Sequence, residues 1–131
     1  MPSNRPSAAV VAIAAAVDAL LVVAFAVAGR SSHAEGLDLS GVWRTAWPFL
    51  AGGAVGWVAA LGWRRPFAAW PTGVAAWLGA VVIGMVLRTA TGQGTAMPFI
   101  VVATLSLAVL IVGWRAALAL VTRRRALRLV R

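Results

Sequence analysis

The chain has no cysteine, no tyrosine and no lysine, and only three acids, Asp18, Glu35 and Asp38, in 131 residues. Without cysteine there is no disulfide framework, thiolate nucleophile or cysteine metal site. A single histidine, His33, falls short of the three or four ligands zinc needs. Charged residues make up 11% of the chain, against about 25% in an ordinary soluble domain. What is abundant is apolar: 62% of residues are hydrophobic and the mean hydropathy is +0.90. So short a chain has too little interior to hide that surface from water. A soluble enzyme and a disordered chain are excluded. The class implied is an all-α integral membrane protein of one domain.

Four apolar segments stand out, at about 8–29, 45–63, 70–87 and 96–114. At 1.5 Å per residue each is roughly 27–33 Å long, enough to cross a hydrocarbon core of about 30 Å. Only helices or closed barrels satisfy their backbone in lipid, and uninterrupted apolar runs mean helices. The expectation is a four-transmembrane-helix bundle with a basic cytoplasmic tail over 115–131.

All twelve basic residues are Arg, and the formal net charge is +9. In a soluble protein that balance would point to nucleic acid. Here it reads as topology, because membrane proteins collect Arg and Lys on their cytoplasmic side, so no nucleic-acid partner is expected. With the N-terminus inside, Arg5, Arg64, Arg65, Arg115 and the five Arg from Arg123 to Arg131 face the cytoplasm, nine against three. Arg30, Arg44 and Arg88 then lie outside with Glu35 and Asp38. Both termini are expected in the cytoplasm, in the cell membrane. Trp43 and Trp47 would mark the outer interface, Trp63, Trp70 and Trp114 the inner one, and Trp57 and Trp77 would pack deeper. A cleaved signal is the competing reading of the first segment, but signal cores are about 7–15 residues and this one is longer, with an acid at its centre.

Thr45-Ala46-Trp47-Pro48-Phe49-Leu50 matches Thr95-Ala96-Met97-Pro98-Phe99-Ile100. Each copy follows an Arg that closes an apolar helix, Arg30 or Arg88, and each leads to Gly-Trp-Arg, at Gly62 and at Gly113. Local helix capping explains each motif alone. Duplication explains both ends, and would give two parallel-repeat hairpins. Small residues recur every four positions at Gly52, Gly56 and Ala60, and again at Ala76, Ala80 and Gly84. That spacing suits close helix packing within one bundle, or the seam of a homo-oligomer. The stretch from Arg115 to Arg131 reads as a topology-setting tail, or as an interfacial helix on anionic lipid headgroups.

Asp18 is the most informative residue. It lies near the middle of the first span, where an acid costs about 2.5–3.5 kcal/mol on an insertion scale. Its carboxyl should face the bundle and meet a polar group or water. Thr104 and Ser106 are the expected neighbours, and an ion pair with Arg88 or Arg115, near opposite ends of the membrane, is not expected. A titratable acid at that depth can couple proton uptake to a conformational change; otherwise it is a structural hydrogen bond. Were it structural, Asp18→Asn should preserve the fold. On the outer face, Arg30, His33, Glu35, Arg44 and Arg88 gather near two helix N-termini. They read as an outward anion site or, more simply, as helix anchors paired with Glu35 or Asp38. Ser31 and Ser32 lack a base-orienting partner, and the loop from Thr89 to Thr95 lacks the Lys of a phosphate loop. No catalytic residue, cofactor or metal site is expected.

These residues together resemble the domain of unknown function 3054 family of small bacterial and archaeal membrane proteins. The resemblance rests on Asp18, the run from Gly29 to Gly36, Trp47-Pro48-Phe49, Gly56-Trp57, the run from Gly84 to Arg88, and the run from Gly92 to Phe99. It implies four spans and no established activity. It also groups Asp18, Arg30, His33, Glu35 and Arg88 as candidate functional residues. Three function classes follow: a small transporter or channel with Asp18 as titratable group, a non-catalytic structural or accessory subunit, and, far behind, an intramembrane enzyme. The first is similar in architecture alone to small multidrug transporters, whose motifs are not found here.

Overall fold

The computed structural model describes residues 4–32 and 35–131. His33, one of the candidate residues, lies outside the described residues. The described chain is all-α. Helix α1 (Ala8–Ser32) is followed by α2 (Leu39–Ala59), α3 (Val74–Ala90), α4 (Met97–Leu107) and α5 (Gly113–Leu129). A π-helical turn, Ala108–Val112, fuses α4 and α5 into one continuous helix of 33 residues. Among the described residues, three helices are long and apolar enough to cross a membrane: Ala8–Ser32, Ala69–Ala90 and Met97–Leu129. The second helix is 21 residues long but less apolar. Arg44, Pro48 and several Trp and Gly dilute its aliphatic residues.

Helix boundaries depart from the apolar segments where polar chemistry intervenes. Helix α2 begins at Leu39, well before Thr45, because Asp38 caps it: its carboxylate accepts the Gly41 N–H at 3.3 Å and the Ser40 hydroxyl at 2.6 Å. Those two donors, the Ser40 hydroxyl first, hold the Asp38 carboxyl below the usual carboxylate range. Pro48 therefore sits inside α2, whereas Pro98 sits in the first turn of α4. The fourth helix runs past Trp114 to Leu129, because nothing after Trp114 breaks a helix. Beyond Arg115 its residues are all exposed.

Helices α2 and α3 form the tightest pair. Gly52 lies against the Gly79 carbonyl, and Gly56 against the Ala75 carbonyl, so closely that a Cβ at either would collide with backbone. This is the packing expected of a small-residue stripe within one bundle. Phe25 of α1, Phe49 of α2 and Phe99 of α4 form an aromatic cluster with ring centroids 5.5–6.4 Å apart. Val22, Leu107 and Ile111 continue the core toward the inner end.

The α2–α3 connection, at the end of the bundle expected to be the inner one, is a structured wrap. A 3-10 turn (Gly62–Arg64) and a π turn (Ala69–Gly73) bury Gly62, Pro66, Thr72 and Gly73. The Thr72 hydroxyl donates to the Arg65 carbonyl at 2.7 Å and closes the loop on itself. The copy at Gly62-Trp63-Arg64 is thus a turn, while Gly113-Trp114-Arg115 is helix, so the two repeat copies end in different structures.

Candidate functional site

Asp18 is buried, with 7% of its surface exposed, and Arg115 is completely buried. They form a bidentate ion pair. Arg115 Nη1 donates to Asp18 Oδ1 at 2.8 Å, and Nη2 donates to Oδ2 at 2.6 Å. Two indoles complete the ring: Trp114 Nε1 donates to Oδ1 at 2.9 Å and Trp57 Nε1 to Oδ2 at 2.8 Å. A carboxylate offers about four lone-pair positions, and all four are filled by N–H donors. Charge-assisted bidentate pairs of this kind are the strong ones.

The guanidinium is equally occupied. Nε donates to the Pro66 carbonyl at 3.0 Å, and Nη1 also donates to the Ile111 carbonyl at 3.0 Å. Its carbon lies 4.6 Å from the Trp114 ring centroid and 5.9 Å from that of Trp57, close enough for cation–π attraction. Phe67 meets Trp114 edge-on, at 5.8 Å between centroids. Gly73 leaves room for the Arg115 side chain, since a Cβ there would stand 3.0 Å from Arg115 Cδ. One cluster thus ties α1, α2, α5 and the inner connection together.

Two features of the backbone place Arg115 here rather than at the inner membrane edge. The π turn inserts one residue into the helix, which rotates everything after it by roughly 100° relative to an unbroken helix. Trp114 and Arg115 are turned inward as a result. The inner connection also folds up against the bundle, bringing the Pro66 carbonyl to Arg115. The expected neighbours of Asp18 were therefore wrong. Its partners are Arg115, Trp57 and Trp114, and the Thr104 hydroxyl instead donates to the Ile100 carbonyl of its own helix at 2.6 Å. Trp114, expected at the interface, belongs to the site. Trp77 donates to the Thr104 carbonyl at 2.9 Å and packs as expected.

The opposite end of the bundle, expected to be the outer one, is a separate place. Arg30 Nε donates to the Gly36 carbonyl at 2.6 Å, and Nη1 reaches Thr45 Oγ1 and Glu35 Oε2, each at 3.2 Å. Arg88 Nε and Nη2 donate to the Gly94 carbonyl at 3.1 and 2.8 Å, and Nη1 to Gln93 Oε1 at 2.9 Å. One backbone bond recurs at both places. Glu35 N–H bonds the Arg30 carbonyl at 2.9 Å, as Gln93 N–H bonds the Arg88 carbonyl at 2.8 Å. The shared pattern is Arg, four residues, Glu or Gln, then Gly. Arg88 further stacks 4.5 Å from the Phe99 centroid. The structure joins Arg30 with Glu35 at one turn, places Arg88 at the other, and keeps both apart from Asp18. Each guanidinium spends donors on backbone carbonyls, which is the work of a helix-end anchor.

Fold and site together define a helical bundle of membrane-protein character, organised around one buried ion pair. The chain belongs to the domain of unknown function 3054 family: the family model, described as a protein of unknown function, matches residues 15–118. That stretch takes in every member of the Asp18 cluster and leaves out the Arg of the tail. No curated protein and no solved structure matches the chain.

Proposed function

We propose that this chain is an integral protein of the cell membrane with four spans and both termini in the cytoplasm, and that it acts as a non-catalytic structural or accessory subunit. The observation that supports this reading is the saturation of Asp18. A group that titrates in a transport cycle needs a free lone pair and a water path. The four acceptor positions of Asp18 are occupied by N–H groups of three side chains fixed on two other helices, α2 and α5. With Arg115 neutralised by Asp18, the Arg bias is eight inside to three outside, still strongly oriented. Reporter fusions after Gly36 should read outside, and fusions after Phe67 and at the C-terminus inside. An outside C-terminus would overturn the topology.

The transport reading retains one observation in its favour. A cleft of about 320 Å³ between α1 and α2 reaches Asp18. Apart from Asp18 its walls are Ala, Gly, Val, Leu, Ile, Phe and Trp residues, so a water there would lack the two to four polar partners that hold one. Flux of protons and small ions in liposomes bearing the purified protein separates the two. The structural reading expects flux no greater than in empty liposomes. PH-dependent flux lost in Asp18→Asn, with the fold intact, would replace it by the transport reading.

A further inference from the structure

The cleft between α1 and α2 continues beyond Asp18 toward the inner end. On α1 it is walled by Val22, Ala19 and Ala15. Val11, one turn inward of Ala15 on the same face, lines a second concavity of about 650 Å³. That one is of mixed lining and carries two cations, with Asn4, Arg5, Pro6, Trp63 and Arg64 around it. Ala15, Ala54 and Val58 are exposed, so the apolar part opens sideways from the bundle. An apolar cleft at mid-depth thus lies one helical turn along α1 from a basic concavity at the end expected to face the cytoplasm.

Among the described residues neither Arg5 nor Arg64 has an ion-pair partner. The protein has three acids. Asp18 is held by Arg115, Glu35 pairs with Arg30, and Asp38 caps α2 at the outer end. Arg5 and Arg64 are both exposed, and an anionic group beside them would supply a countercharge that these three acids do not. The geometry points to a bound anionic diacyl phospholipid. One acyl chain lies in the α1–α2 cleft, and the phosphate is held by Arg5 and Arg64 beside the Trp63 ring. Arg supplies planar paired donors to phosphate, and Trp favours the headgroup level. The site is distinct from the Arg123–Arg131 tail, which has charge without a groove. It rests on the membrane reading above.

The test is native mass spectrometry of the full-length protein, titrated in micelles with phosphatidylglycerol and with phosphatidylcholine of identical chains. Carbonate extraction of cell membranes runs alongside. One phosphatidylglycerol should be retained about 30-fold more tightly than phosphatidylcholine, from two Arg near the surface. Arg5→Gln with Arg64→Gln should remove that preference. Gln at Arg123, Arg124 and Arg125 should leave it. Ala54→Phe, which fills the cleft from an exposed position, should weaken both lipids. Equal retention of the two lipids by the wild type overturns the proposal, as does loss of the preference in the tail variant alone. If Ala54→Phe dissociates a dimer and leaves lipid retention unchanged, the groove is a seam between two copies and the lipid assignment is wrong. Release of the protein by carbonate would instead sink the membrane reading itself.

Discussion

Replacing Asp18 with Asn should destabilise the fold by about 3–5 kcal/mol, the cost of removing one partner from a buried ion pair. Asn resembles Asp in shape, and that resemblance is why the sequence alone suggests tolerance. The geometry reverses the expectation. Each carboxylate oxygen accepts two N–H bonds, one from an indole and one from Arg115. Whichever way an Asn amide is turned, its NH₂ faces two N–H donors. The guanidinium, completely buried, is left without its countercharge. Thermal unfolding in detergent micelles, followed by helical circular dichroism, measures the loss. Arg115→Lys should also destabilise, because an ammonium cannot reproduce the paired bonds to Asp18 together with those to Pro66 and Ile111.

The second large effect concerns two adjacent glycines of α2. Gly52→Ala should destabilise by about 1–3 kcal/mol, net of any gain in helix propensity, while Gly53→Ala should stabilise by about 0.5–1 kcal/mol. The new methyl at Gly52 would meet the Gly79 carbonyl and stand 3.0 Å from the Gly84 nitrogen, so α2 and α3 must separate. At Gly53 the nearest atoms are 3.8–3.9 Å away, an ordinary contact, and only the propensity gain remains. The same unfolding measurement on the two variants checks the opposite signs. Equal effects would mean that α2 and α3 do not pack through Gly52.

The apolar segments made the helices legible, because only the backbone ladder satisfies polar groups in lipid. The stripe at Gly52 and Gly56 was legible for a related reason, since close approach leaves no room for side chains. Helix ends were less so. Asp38 starts α2 early through a cap, and the tail stays helical because Ala, Leu and Arg are good helix formers. The inward demand of Asp18 was also readable, since burial of an acid requires partners. Which partners was not. Arg115 sits in a Trp-Arg pair that reads as a membrane boundary. Its inward turn depends on a π turn within Ala108–Val112, a run with no local sequence mark of one. Nor could spacing reveal that the inner connection folds back to offer the Pro66 carbonyl. One signal was available: Trp57 and Trp114, the donors that flank the pair, were already in view as indoles near the inner half of the chain. At the outer end, Arg30 and Arg88 were visible as helix-closing residues. The shared spacing to Glu35-Gly36 and Gln93-Gly94 was there to be read as the same bonds made twice.

The central claim is that Asp18 and Arg115 act as one structural unit. A double-mutant cycle with Asp18→Asn, Arg115→Gln and the pair, unfolded in the same micelles, tests it most directly. The account predicts that each single variant is strongly destabilised, and that the double variant is less destabilised than their sum by about 2–3 kcal/mol. Additive losses within about 0.5 kcal/mol, or an Asp18→Asn protein that unfolds like the wild type, would contradict it.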